Sequence, residues 1–147
     1  MRISQILPTK RSDIVSVPPT ARVRGAIALM KREHVGAVLV LDEDGRLLGV
    51  LSERDVVHSL DLQAADPFAR QVTEVMRRDS PVASAQDTVQ SVMQTMTVTR
   101  ARHVPVVERG RVIGIVSIGD IVKWRLDEQI QENTVLQDLA RSRVLAK

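Results

Sequence analysis

"GVLSERD" at Gly49–Asp55 and "GIVSIGD" at Gly114–Asp120 decide how this chain is read. Each places a glycine inside an apolar, strand-like run, then a serine, then an aspartate three residues later. Ser-x-x-Asp at that point is a helix start: the serine oxygen accepts from the third amide of the helix, and the acid reaches back to the serine's own N–H. A strand that hands over to a capped helix, written twice, predicts a repeated unit.

The repeat extends in both directions from the two stretches. Laying Pro18–Val57 over Ser84–Val122 needs one deletion, in a turn. Val23, Met30, Val38, Val40, Gly45, Arg46, Gly49, Ser52, Asp55 and Val57 then recur as Val89, Met96, Val104, Val106, Gly110, Arg111, Gly114, Ser117, Asp120 and Val122. Val23, Ala26, Ile27 and Met30, like Val89, Val92, Met93 and Met96, follow the i, i+3, i+4, i+7 spacing of an amphipathic helix, so both methionines are core residues. "AVLVL" and "RLLGVL" in the first copy, and "VPVV" and "RVIGIV" in the second, read as hairpins turning at Gly45 and Gly110. With a short strand near "DIVSV" or "SPVAS", each copy has the order β-α-β-β-α. The fold class is α+β (α/β), with helices on one face of a strand-rich sheet.

"ISQIL" at residues 3–7 and "VTEVM" at residues 72–76 echo each other, each just before a unit. The connector "SLDLQAADPFARQ" carries Pro67 and little periodicity, which places the junction there. The expected division is 1–66 for the first repeat with its N-terminal segment, 67–126 for the second, and 127–147 for a helical tail. Leu126, Ile130, Leu136 and Leu139 give the tail an apolar stripe that either a partner subunit or the chain's own core would cover.

Composition narrows the function. The 147 residues, 44% apolar and 27% charged, suit one compact core or two fused halves. The chain has no cysteine, which excludes disulfides and thiolate chemistry. "MRISQILPTKRSD" lacks a signal peptide's apolar region and no stretch is long enough to span a bilayer, so a soluble, cytoplasmic protein is expected. The net charge of +3 and a pI near 9.9 favour anionic partners. Phe68 and Trp124 are the only aromatics, too few for a base-stacking surface, and nucleic acid is not the expected partner. There is no P-loop, no G-x-G-x-x-G and no H-E-x-x-H. His34, His58 and His103 are too far apart in the chain to suggest a local metal site. Ser117, His103 and Asp120 could be drawn as a triad, but a capping box already accounts for two of them. No enzyme activity and no catalytic residue are expected.

The Ser–Asp pairs have a structural reading as helix caps and a functional one. Amides at a helix N-terminus attract phosphate, a first-turn carboxylate can accept two hydrogen bonds from vicinal hydroxyls, and glycine lets a ligand approach the strand. A ribose 5′-phosphate offers both groups. With its G-h-h-S-x-x-D endings (h, apolar), the repeat resembles the tandem CBS (cystathionine-β-synthase) domain pair over roughly residues 1–126, and in particular the small stand-alone bacterial members.

That resemblance implies two units packed sheet to sheet with pseudo-two-fold symmetry, a homodimer, and clefts that bind an adenosine ligand such as AMP, ATP or NAD. It implies regulation of an effector protein without chemistry on the ligand. By position it makes Asp55 and Asp120 the groups for ribose hydroxyls and Ser52 and Ser117 those for ribose or phosphate. Backbone of Ala37, Val38 and Leu39 with Val15, and of His103, Val104 and Pro105 with Val82, would hold adenine. Lys10, Arg54, Arg102 and His103 would meet phosphate; otherwise the cations belong to a solvated face and His103 caps a strand. Ile118 and Gly119 stand where the first copy has Glu53 and Arg54, so the two sites should not bind alike. The alternative is a protein-interaction or basic nucleic-acid-binding module with vestigial pockets.

Overall fold

A computed structural model describes residues 1–7, 14–61 and 63–145. The elements are α1 (Ile3–Ile6), β1 (Ser16–Val17), α2 (Val23–Glu33), β2 (Ala37–Leu41), β3 (Leu47–Ser52), α3 (Glu53–Ser59), a 3₁₀ turn (Val72–Glu74), α4 (Val89–Thr99), β4 (His103–Glu108), β5 (Arg111–Ser117) and α5 (Ile118–Leu145). The first copy has the expected β-α-β-β-α order: β1 runs parallel to β2, which is antiparallel to β3. In the second, β4 and β5 form the hairpin. Its opening strand shrinks to one parallel bridge: the Ala83 N–H donates to the Pro105 carbonyl (2.8 Å) and the Val107 N–H donates to the Ala83 carbonyl (2.8 Å).

The side-chain alternation of β2 explains the layering. Val38 and Val40 point into a core shared with Val23, Ala26 and Met30 of α2 and Val56 of α3. Ala37 and Leu39, on the opposite face, meet Val50, Val107, Val112 and Ile115 in a second layer, where the two sheets pack together. The second repeat has its own helix-side core of Val89, Val92, Met96, Val104, Val106, Val116 and Ile121. Both predicted core methionines are 3% exposed. Gly45 (φ 79°) and Gly110 (φ 77°) close the hairpins in the left-handed region that glycine adopts freely.

Packing crosses the chain order. Ile3 and Ile6 of α1 lie in the core of the second repeat, whereas Val72 and Met76 lie in that of the first. The backbone repeats the exchange. Val89 N–H donates to the Met1 carbonyl (2.9 Å) and Ile3 N–H to the Asp87 carbonyl (2.9 Å), while Val23 N–H donates to the Arg70 carbonyl (2.8 Å) and Val72 N–H to the Ala21 carbonyl (2.9 Å). The echoing segments "ISQIL" and "VTEVM" therefore do one job, each on the opposite repeat.

This exchange corrects the reading of the two strand glycines. What stands where a Cβ would be is protein. A Cβ on Gly49 would fall 2.6 Å from Met76 Sδ and 3.1 Å from the Arg77 carbonyl oxygen, and one on Gly114 would fall 2.8 Å from Leu7 Cδ2. Gly49→Ala is expected to lower unfolding free energy by about 1–3 kcal/mol in chemical denaturation, because a backbone carbonyl limits the retreat. Gly114→Ala is expected to cost less, since the Leu7 methyl can rotate away. Equal losses would contradict this account.

α5 is one uninterrupted helix of 28 residues, about 42 Å long at 1.5 Å per residue. Ile121 is buried and Trp124 packs against the second core, but Leu126, Ile130, Leu136 and Leu139 are all more than half exposed. The tail's stripe does not cover the core of its own chain. Among the described residues, no helix is long and apolar enough to cross a membrane.

Candidate ligand-binding site

Both Ser–Asp pairs form complete capping boxes. Ser52 N–H and Oγ–H donate to Asp55 Oδ2 (3.0 and 2.8 Å), and Asp55 N–H donates to Ser52 Oγ (3.1 Å). In the second copy, Ser117 N–H and Oγ–H donate to Asp120 Oδ2 (2.8 and 2.9 Å), and Asp120 N–H donates to Ser117 Oγ (3.2 Å). All four side chains are half-buried. The boxes cap helices, as the structural reading requires, and hold each carboxylate at a fixed angle at the end of its hairpin.

The remaining first-turn amides are less available than the phosphate reading assumed. Glu53 N–H donates to the Gly36 carbonyl (3.0 Å) and Ile118 N–H to the Arg102 carbonyl (2.8 Å). With Asp55 N–H and Asp120 N–H used by the serines, the amides of Arg54 and Gly119 are left in each first turn. A phosphate held here would therefore depend on side chains.

Strand register sets what faces each box. Ser52 is paired with Ala37 and Ser117 with His103, the first residues of β2 and β4. Val15 adjoins the first pair of strands, its carbonyl accepting from Leu39 N–H at 3.0 Å. Val38, Leu39, Val104 and Pro105 are buried and Ala37 is 6% exposed, so their side chains serve the cores, and the Leu39 N–H and Pro105 carbonyl are already engaged by Val15 and Ala83. Val82 is 54% exposed, beside the Ala83 bridge. Arg54 and Arg102 are exposed and form no ion pair among the described residues, which leaves both guanidinium groups available. Lys10 lies outside the described residues.

One contact has no local signature in the chain. His103, half-buried at the start of β4, packs against Gly36 of the other repeat: a Cβ on Gly36 would stand 3.4 Å from His103 Nε2 and 4.0 Å from Glu53 Oε2. The second repeat thus delivers an imidazole to the first repeat's box. The available signal lies in the aligned copies, where Gly36 stands opposite Arg102 and makes the room.

A glycine-flanked hairpin, a capping box at its end and reciprocal docking segments, all duplicated across a sheet-to-sheet layer, constitute a tandem module. The CBS domain family model matches it twice, at residues 3–62 and 72–127. The chain belongs to the CBS-domain family. Among solved structures, the CBS-domain-containing protein ATU1752 from Agrobacterium tumefaciens is 37% identical, with a TM-score of 0.80 over 85% of this chain and 99% of its own. The CBS domain-containing protein YhcV of Bacillus subtilis is 29% identical over 119 residues, 81% of this chain and 84% of its own length. CBSX2, solved in complex with AMP, is 23% identical with a TM-score of 0.75 over 86% of this chain and 97% of its own, and shares the fold. The two capping boxes lie one in each matched CBS repeat.

Proposed function

We propose that this CBS pair is a regulatory module that binds AMP, ATP or NAD beside its two capping boxes and reports energy or redox state to an effector protein. The observation that carries the reading is the duplicated carboxylate: Asp55 and Asp120 are each held through Oδ2 in the same box, at the same register, at the end of a hairpin. A fixed carboxylate accepts charge-assisted hydrogen bonds from a ribose diol without losing side-chain freedom on binding. Arg54 on α3 and His103, which packs against Gly36, supply cationic or donor groups near the first box, Arg102 stands beside the second, where its carbonyl accepts from Ile118 N–H, and the AMP complex of CBSX2, which shares the fold, gives the ligand class a precedent. Ile118 and Gly119 replace Glu53 and Arg54, so the second box lacks the first-turn cation that Arg54 gives the first, and the first is the better site for more highly phosphorylated ligands. No step of covalent chemistry is assigned.

A homodimer belongs to the same proposal. Val57 and Val122, equivalent positions on α3 and α5, are 64% and 52% exposed, and the tail's stripe adds further apolar surface. Action in the cytoplasm, where adenine nucleotides are abundant, suits a chain without cysteine.

A thermal-shift panel tests the reading. AMP, ATP or NAD is expected to raise the melting temperature, since a ligand at 100 times its Kd stabilises the folded state by about 2.7 kcal/mol, and GTP is expected to do less. A flat response to every adenosine ligand would contradict it. If nucleic acid binds instead, with affinity falling steeply as salt rises, the interaction-module alternative takes its place.

A further inference from the structure

The glycine–arginine pair at each turn, Gly45–Arg46 and Gly110–Arg111, recurs in both copies, yet only the glycine has a structural task. Arg46 and Arg111 are exposed, and their side chains make no hydrogen bond or ion pair among the described residues. The sheet-to-sheet packing brings both hairpin tips to one open cavity of about 810 Å³, which the segment just after the 3₁₀ turn also lines. Arg46, Arg78, Arg109 and Arg111 line it, against a single acid, Asp44. Arg109 is likewise uncommitted, and Arg78 Nη2 donates only to the Thr73 carbonyl at 3.2 Å.

Four cations around one hollow repel each other unless an anion lies between them, and guanidinium forks match the paired oxygens of phosphate. Arg109 adds a second observation. It sits at φ 52° in a two-residue turn where glycine or asparagine is the easier choice, so the turn carries local strain while it presents a cation. A concavity of this size falls within the range of about 300–1,000 Å³ typical of small-ligand sites. Because the arginines come from three separate segments, a chain of phosphates suits them better than one small monoanion.

We propose that the cavity at the hairpin tips binds an oligophosphate, a chain of two or three phosphates, between arginines supplied by both repeats. Neither Ser–Asp pair lines this cavity, although Val82, a candidate adenine contact of the second box, does.

Calorimetric titration of the full chain with sodium tripolyphosphate at low ionic strength tests it. Binding is expected, and Arg111→Ala and Arg109→Gly should each weaken it at least ten-fold. Arg143→Ala, which removes the same charge from the tail helix, should leave it unchanged. Arg109→Gly relaxes the turn, so its melting temperature should hold or rise, which separates lost binding from lost folding. Adenosine, which has no phosphate, should not displace tripolyphosphate. Displacement by ATP and CTP alike would assign the site to the phosphates of nucleotides, and its absence to the inorganic chain. No binding at millimolar tripolyphosphate, an affinity that Arg111→Ala and Arg109→Gly leave intact, or displacement by adenosine would overturn the proposal.

Discussion

Replacing Ile3 with alanine is expected to loosen the second repeat before the first, although the first is its immediate neighbour in the chain. Ile3 is fully buried (0% exposed) among Val89, Val92, Val104 and Ile121. Removing a buried isoleucine's outer carbons forfeits transfer free energy and leaves a cavity, about 2–5 kcal/mol in sites that cannot collapse. Collapse is restricted here, because the backbone on either side of Ile3 is tied to the second repeat by the bonds to Asp87 and Ala85. Hydrogen exchange should therefore show protection falling first over α4, β4 and β5. Val72→Ala, the mirror-image change, should act first on α2, β2 and β3. Loss confined in each case to the repeat next in sequence would show that the docking segments are not exchanged.

The second large effect concerns the boxes. Asp55→Asn preserves an oxygen that can accept from Ser52 N–H, so the cap survives in weakened form, at a cost of roughly 1 kcal/mol or less. The same change removes the charge that would hold a ribose diol. Hydrogen bonds to a charged group contribute about 1.5–3 kcal/mol, so AMP affinity at that box should fall between roughly ten- and a hundred-fold. Asp120→Asn should do the same at the second box. Calorimetry on each variant and on the pair checks this. Full affinity in the double variant, with the fold intact, would reduce the boxes to helix caps.

How much of the molecule is legible in the sequence depends on how local each interaction is. The Ser–Asp boxes can be read from spacing because capping is decided within one helical turn, and the hairpins because turn glycines and period-2 alternation are short-range signals. The echo of "ISQIL" in "VTEVM" shows that the two segments share a task, but chain order suggests the wrong partner for each. Only three-dimensional packing reveals that Ile3 sits with Val89 and Val72 with Val23. For the same reason the sequence misleads about Gly49 and Gly114: it shows that a side chain is missing, not whether Met76, Leu7 or a ligand takes the space. The approach of His103 to Gly36 and the meeting of four arginines at the hairpin tips are long-range as well. Their traces in the sequence, a copy-to-copy difference at one position and an identity at another, say that something is there without saying what it touches.

The most direct measurement is a crystal structure of the chain with AMP. Ribose hydroxyls are expected within about 2.6–3.2 Å of a carboxylate oxygen of Asp55 or Asp120, with adenine against the starts of β2 or β4. AMP bound elsewhere, with neither carboxylate contacting it, would contradict it.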